Sequence, residues 1–208
     1  MGYSPAWLYR IEQGRVVPSA KVLRALAVSL DLDQWETRYL FALGRRVPEH
    51  EAELSHAPGQ GYLDALHPNV AAWLNSAWVV QRVNAEFDRL MHGWWICPVL
   101  IYWHYGTIDA QTVIVNWEQT SQWCVGWLRF GLAAGHEGTA RIVELLMAIK
   151  VFRAHWESQV IPVDPATKPW VVRDFDNNCD VTLDMRAWRP AGQEAGVLLL
   201  GAVVDHAG

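Results

Sequence analysis

Few residues of this chain have the types and spacing that catalysis requires, and most of its binding chemistry lies in aromatic side chains. The sequence contains no G-x-S-x-G, H-E-x-x-H or Gly-rich phosphate-loop motif, so the signatures of the common nucleophilic, metal and nucleotide chemistries are missing. Two acid–base pairs, His104 with Asp109 and His155 with Glu157, would form only if the fold brought the partners together. We therefore expect a binding protein that uses no cofactor, with an enzyme as the rival class.

The aromatic content is high, with thirteen tryptophans in 208 residues. A small-molecule pocket is usually concave, mostly apolar and lined by aromatic rings. Aromatic stripes on helices also simply fill cores, so both interpretations remain open. Eight rings lie in or near helices predicted to cover one face of a sheet: Trp94, Trp95, Tyr102, Trp103, Trp117, Trp123, Trp127 and Trp156.

The three cysteines are far apart in the chain and odd in number, which matches neither a zinc site nor a disulfide framework. The longest apolar run, 94–103, has about ten residues, fewer than the roughly twenty that span a membrane. No signal peptide precedes the first motif. The sequence predicts a cytoplasmic protein with no metal site and no membrane partner.

Two short helices are predicted at the N-terminus. Ser4 is a favourable N-cap, Pro5 suits the first helical position, and Gly14 can adopt the left-handed conformation that ends a helix. A second helix follows the Pro18-Ser19 dipeptide. A third, over 33–46, is predicted to end before Pro48.

This pattern of helix starts and ends resembles the second half of a phage-repressor-like (XRE-type) helix-turn-helix domain over about residues 4–30. The recognition-helix pattern S-x-x-x-L-x-x-I-E-x-G, followed by P-S, is present from Ser4 to Ser19. The resemblance places Leu8, Ile11, Leu23, Leu26 and Leu30 in the core of that domain. Such domains have about two more helices upstream, and only three residues precede Ser4, so we expect a clipped or mis-started chain.

The resemblance also implies which residues face DNA. The N-terminal positions of the recognition helix would enter the major groove, and Arg15 could contact a phosphate. Arg10 alone could make a bidentate contact to guanine. The implied contact residues are Ser4, Pro5, Ala6, Arg10 and Arg15.

Charge and composition divide the chain. Residues 1–46 contain seven Lys/Arg and four Asp/Glu, whereas the remainder contains ten and eighteen. A basic N-terminal segment on an otherwise acidic chain is typical of a protein that binds a polyanion at one end. Residues 47–61 lack periodicity and contain Pro and Gly, which predicts a linker between a DNA-binding segment (1–46) and a second domain (62–208).

The second domain is predicted to be α+β, with one five-stranded antiparallel sheet covered by helices. A hairpin at 70–83 precedes a helical turn at 85–91 and a long helix that Asp109 would cap and that would extend to about Ala134. Two further helices, at 139–148 and 151–158, precede three strands at 170–175, 181–188 and 197–204.

This domain resembles the PAS-like ligand-binding domain of MmyB-like regulators. The shared segments are the L-D-A-L run at 63–66, W-V-V-Q-R-V-N at 78–84, N-W-E at 116–118, L-R at 128–129 and F-R-A-H-W at 152–156. They occur in the same order over most of the chain. Two departures are Lys168 before Pro169, where a histidine is usual, and the strongly aromatic segment 94–105.

The MmyB-like resemblance implies a small apolar ligand such as a fatty acid. Arg129, Arg153 and His104 are the candidate partners for a carboxylate, and the eight rings named above would line the pocket. The chain would act as a homodimer in which ligand binding changes the spacing of two recognition helices. The alternative is a protein-interaction module or sensor fragment that does not bind DNA on its own.

Overall fold

The computed structural model describes residues 4–44, 57–75, 77–136, 138–158, 169–188 and 196–204. They divide into an N-terminal unit, up to Glu49, and a second unit from His50 onward. The N-terminal unit contains α1 (Pro5–Glu12), α2 (Ala20–Ser29) and α3 (Gln34–Leu43).

Each of these helices begins at a side-chain cap. The hydroxyl oxygens of Ser4 and Ser19 accept from backbone N–H groups three residues on, and Asp33 forms a capping box with Glu36. Gly14, just beyond α1, has φ +64°, which is the left-handed conformation predicted for it. The predicted start of α1 and its glycine stop are confirmed.

The core of the N-terminal unit differs in one respect from the expected core. Leu23 is buried, and Leu8, Ile11 and Leu26 are half-buried. Leu30 is 62% exposed because it follows the last turn of α2 as its C-cap. The prediction that Leu30 is a core residue is therefore wrong. The third helix also ends earlier than predicted, at Leu43, and residues 45 and 46 lie outside the described ranges.

One antiparallel sheet organises the second unit. Its strands are β1 (Val70–Leu74), β2 (Val80–Val83), β3 (Trp170–Asp174), β4 (Cys179–Trp188) and β5 (Val197–Val203), in the order β2-β1-β5-β4-β3. Every pairing is antiparallel. The α+β class and the five-stranded sheet are confirmed.

Seven described α-helices belong to this unit, and six of them lie in the chain between β2 and β3, together with a short 3-10 helix at Trp94–Ile96. Period-two alternation divides β1 between two cores: Val70, Ala72 and Leu74 join the large core beneath these helices, whereas Ala71 and Trp73 join a small core with Leu63 of α4. The large core therefore lies between the sheet and the inserted helices. The helices are α4 (Gln60–Asp64), α5 (Ala85–Leu90), α6 (Leu100–Gly106), α7 (Ile108–Val113), α8 (Trp117–Ala134), α9 (Thr139–Leu146) and α10 (Lys150–Glu157).

The long helix predicted from Asp109 to Ala134 is in fact two helices, and the N-cap is Thr107. Between α7 and α8, Ile114 forms a β-bridge with Val172, and the Val115 N–H donates to the Val171 carbonyl at 2.8 Å. The Asn116 amide binds the Pro169 carbonyl and the Val171 N–H. Backbone groups at the edge strand β3 thus form the hydrogen bonds that residues 114–116 would otherwise form within a continuous helix.

The Asn84 side chain joins three elements of the second unit. Its Oδ1 accepts from Ala71 N–H of β1 at 2.9 Å and from Phe87 N–H of α5 at 3.0 Å. Its Nδ2 donates to the Asn69 carbonyl at 2.7 Å and to the Leu63 carbonyl of α4 at 3.4 Å. This buried amide therefore fixes α5, the first covering helix, against the sheet.

An ion pair fixes the far edge of the sheet. Arg89 of α5 donates to the buried Asp174 carboxylate at the end of β3. Burial alone would raise the pKa of Asp174, but hydrogen bonds from Asn177 and Arg89 outweigh it and lower the pKa to about 2. This contact holds β3 near the helical layer.

None of the helices in the described ranges is long and apolar enough to cross a membrane.

We expect Asn84→Ala to lower the free energy of unfolding by about 3 kcal/mol, because it removes an N-cap and leaves buried backbone groups unpaired. The exposed Gln81→Ala is the control and should change stability by less than about 0.5 kcal/mol. Urea unfolding monitored by circular dichroism measures both. A loss for Asn84→Ala no larger than that of the control would contradict this role.

Candidate functional site

The N-terminal unit exposes the residues expected to face DNA. Ser4, Pro5, Ala6 and Arg10 are exposed on or beside α1, and Arg15 is exposed in the loop that follows. The Ser4 oxygen already accepts from Trp7 N–H at 3.3 Å, which leaves its own O–H free to donate. Arg10 is the only cation on α1.

Four tryptophans of the second unit form one group in the large core. The Trp123 ring lies 5.7 Å from Trp127, 6.3 Å from Trp78 and 5.5 Å from Trp170, centroid to centroid. Trp78 follows β1, Trp123 and Trp127 lie on α8, and Trp170 begins β3. We call these four residues the tryptophan group. It joins the helical layer to the sheet.

His104 of α6 adjoins the tryptophan group. Its ring stacks on Trp117 at 5.2 Å, with an interplanar angle of 11°, and its centroid lies 6.1 Å from that of Trp170. The Ser121 hydroxyl donates to the Trp117 carbonyl at 2.8 Å, so its oxygen accepts from His104 Nε2–H, also at 2.8 Å. Nε2 therefore carries the proton, and Nδ1 is an acceptor.

Burial keeps the His104 ring neutral. Desolvation, with a smaller contribution from nearby His155, lowers its pKa from 6.5 to about 3. The unfolded chain binds this proton below about pH 6.5 and the folded chain only below about pH 3, so His104 weakens the fold as the pH falls through this interval. Burial also raises the pKa values of the neighbouring Tyr105 hydroxyl and Cys124 thiol.

A chain of hydrogen bonds connects this region with the surface. The Tyr105 hydroxyl donates to the Ser121 carbonyl at 2.9 Å and lies 3.1 Å from His155 Nδ1. His155 Nε2 lies 2.8 Å from the exposed Glu118 carboxylate. Neither acid–base pair suggested by sequence spacing is among the contacts of the described residues: His104 contacts Ser121, and His155 contacts Glu118.

Several polar atoms of this core have no hydrogen-bond partner among the described residues. They are the indole N–H groups of Trp103, Trp123 and Trp170 and the Nδ1 atom of His104. A buried donor without an acceptor costs about 1–3 kcal/mol. Buried polar groups in proteins are nearly always paired, so such a group of atoms is expected where a ligand or an ordered water binds.

The two candidate arginines lie outside the tryptophan group. Arg153 is exposed, and its Nε donates to the Met147 carbonyl at 3.1 Å. Arg129 is half-buried, with its guanidinium carbon 4.4 Å from the Trp156 ring centroid and its Nη2 donating to the Trp156 carbonyl. The fold therefore gives Arg129 a partner on α10.

The aromatic candidates fall into three sets. Trp103 and Trp123 are buried, and Trp117 and Trp127 pack half-buried on the same core. Trp94 and Trp156 are partly buried at its margin, where Trp94 Nε1 donates to Asp88 at 2.9 Å. The surface residues are Trp95, 51% exposed, and Tyr102, 38% exposed.

Two protein families match the sequence of this chain. A family described as a helix-turn-helix domain matches residues 1–40. A second family, described as the MmyB-like transcription regulator ligand binding domain, matches residues 58–200, which is more than half of the chain. The chain belongs to this MmyB-like family. Comparison with the curated proteins and with the solved structures gave no match.

The matches confirm a helix-turn-helix domain and an MmyB-like ligand-binding domain. The XRE-type assignment of the first domain stays a prediction. The MmyB-like match begins at residue 58, inside the segment predicted as a linker, and α4 begins at Gln60. The exact boundaries of the two domains stay predictions.

Sequence reasoning missed two members of the tryptophan group in the MmyB-like domain. Trp78 and Trp170 lie in segments predicted as strands, whereas the predicted pocket rings lie in or near helices. The alternation of β3 could have identified Trp170, since Trp170, Val172 and Asp174 are all buried. Trp78 has φ +59° beside the hairpin turn, a conformation that no periodicity predicts.

We expect His104 of the MmyB-like domain to remain neutral, with the proton on Nε2, from about pH 8 to about pH 4. The reason is that burial disfavours the charged ring. Nitrogen-15 chemical shifts of the histidine rings measure this, and the chain unfolded in denaturant is the control, in which His104 should titrate normally. A native titration midpoint near 6.5 would contradict the burial described here.

Proposed function

We propose that this chain is a DNA-binding transcription regulator controlled by a small apolar ligand bound in its MmyB-like domain. Its family membership establishes the coarser function, a helix-turn-helix regulator with a ligand-binding domain. The observation that carries the ligand part is the tryptophan group, with unpartnered indole N–H groups and His104 beside it. An apolar lining with a few polar atoms is the usual composition of a small-molecule site.

DNA contact is assigned to the exposed N-terminal part of α1. Arg10 would read a guanine edge, Ser4 could donate to DNA, and Pro5 and Ala6 would make apolar contacts in the groove. Arg15 would bind a phosphate. The proposed DNA-binding segment is 1–46, with 47–61 as a linker and 62–208 as the ligand-binding domain.

The ligand contacts are assigned by position in the fold. We place Trp103, Trp117, Trp123 and Trp127 around the ligand and add Trp78 and Trp170 from the sheet side. Trp94, Trp156 and Arg129 would form the margin. Trp95, Tyr102 and Arg153 are at the surface and are not assigned a direct contact. A fatty acid is the ligand class that the resemblance implies.

The proposed output is a change in the spacing of two recognition helices within a homodimer. Ligand binding would favour one of two arrangements of the helices that cover the sheet. Repressor-like helix-turn-helix proteins bind two half-sites as dimers, which makes this spacing decisive for affinity. Such a regulator would act in the cytoplasm, the compartment that the sequence predicts.

One observation favours a second candidate, a protein-interaction module. Trp95 and Phe175 are about half exposed, and both contact the exposed His92 ring, at 5.0 and 6.0 Å. Exposed aromatic patches often mark protein interfaces. Under this alternative, the chain would not bind DNA on its own.

We expect the chain to select a defined site from random DNA and to retard it in a gel. Binding should weaken steeply as salt rises, because phosphate contacts release counterions. Arg10→Ala should weaken the selected site about tenfold or more and non-specific DNA less.

Arg24→Ala is the matched control, since Arg24 is an exposed arginine on α2 outside the assigned contacts. It should leave discrimination between sites unchanged. If Arg10→Ala lowered the affinity for all DNA sequences equally, Arg10 would contact a phosphate and not a base. No retardation at low salt would favour the interaction module.

A further inference from the structure

Three buried rings in contact carry polar atoms that no described residue satisfies. His104 and Trp170 are each 1% exposed, and Trp123 is 3% exposed. The Trp170 ring lies between the other two, 6.1 Å from His104 and 5.5 Å from Trp123. Their unpartnered atoms are His104 Nδ1 and the two indole Nε1 atoms.

The three atoms differ in what they require. Each indole N–H can only donate, so Trp123 and Trp170 need an acceptor. His104 Nδ1 needs a donor, because Ser121 accepts the proton on Nε2. A single hydroxyl group both accepts and donates, and it could serve indole and imidazole together.

A carboxylate does not match these atoms. It accepts only, so Nδ1 would stay unpartnered, and its charge would lie among neutral rings. Arg129 is the candidate cation, and its guanidinium packs on the Trp156 ring while Nη2 donates to the Trp156 carbonyl of α10. Its buried Nε has no partner among the described residues, so the binding test below includes Arg129→Gln. His104, another of the expected carboxylate partners, contacts Trp170 of the tryptophan group, and it is neutral.

We propose that the ligand of the MmyB-like domain presents an uncharged O–H group, an alcohol or a protonated carboxyl, to His104, Trp123 and Trp170. This inference rests on the proposed function, since it specifies the polar end of the apolar ligand. A fatty acid would then bind in its neutral form, with the carbonyl accepting from an indole and the O–H donating to Nδ1.

The titratable groups around His104 leave the proposed contact between the ligand O–H group and His104 uncharged over the pH range of the binding test. Tyr105 lies on the same helix, Cys124 and Glu118 on α8, and His155 on α10. The Tyr105 and Cys124 side chains keep their protons because burial raises their pKa values. Glu118 contacts His155, and Arg141 and Glu144 of α9 are exposed.

The test compares three probes of equal chain length on the full chain: dodecanol, dodecane and dodecanoic acid. Quenching of intrinsic tryptophan fluorescence measures their dissociation constants from about pH 6 to about pH 8. We expect dodecanol to bind at least about tenfold more tightly than dodecane, at all pH values. Dodecanoic acid should weaken about tenfold per pH unit, because its carboxyl titrates with a pKa near 4.3, as a glutamate side chain does.

Substitutions at the proposed contact residues test where the polar end of the ligand binds. His104→Phe and Trp170→Phe should each reduce the preference for dodecanol over dodecane several-fold while dodecane affinity is retained. Trp95→Phe is the matched control because the Trp95 indole is 51% exposed. The pH series on the unaltered chain needs no variant, so a substitution that impairs folding leaves the proposal testable.

Three results would overturn the proposal. Dodecane binding as tightly as dodecanol would mean that an ordered water satisfies the three atoms. Dodecanoic acid affinity that does not vary with pH and is lost in Arg129→Gln would mean a bound carboxylate. If none of the probes binds and no ligand accompanies the protein, the proposed function itself fails, and this inference fails with it.

Discussion

Every indole ring that is buried brings an N–H group that must find an acceptor, and this requirement governs the helical layer of the MmyB-like domain. Trp117 meets it through the His104 carbonyl at 2.9 Å, and Trp94 meets it through Asp88. Trp123 and Trp170 have no acceptor among the described residues. Burying so many rings stabilises the layer by excluding apolar area from water, but it leaves polar atoms in the core. A ligand group that accepts hydrogen bonds from these indole N–H groups would both bind in the core and order the helical layer.

The same layer depends on contacts between distant segments. Asn84 holds α5 against β1, the ion pair of Arg89 and Asp174 holds β3 against α5, and Asn116 holds the start of α8 against β3. These hydrogen bonds and this ion pair position Trp170 of β3 and Trp123 of α8. A ligand that moves α8 would therefore act on β3 as well, which gives the covering helices a means of changing together.

Much of the fold follows from local sequence signals, and the exceptions have tertiary causes. Ser4, Ser19 and Gly14 mark helix ends through their own chemistry, so these ends were predictable. The break between α7 and α8 was not, because Ile114 pairs with Val172, a residue far along the chain. The candidate site divides in the same way. Helical spacing identified Trp123 and Trp127, whereas Trp78 and Trp170 reach the group only through the sheet.

If the aromatic core of the MmyB-like domain binds a small apolar molecule, the purified protein should carry or take up such a molecule. Mass spectrometry of the purified protein, first under native and then under denaturing conditions, tests it most directly. We expect a mass excess of roughly a few hundred daltons, the size of a small-molecule ligand, that is lost on denaturation. A bare native mass that stays unchanged when the protein is incubated with dodecanol or dodecanoic acid would contradict it.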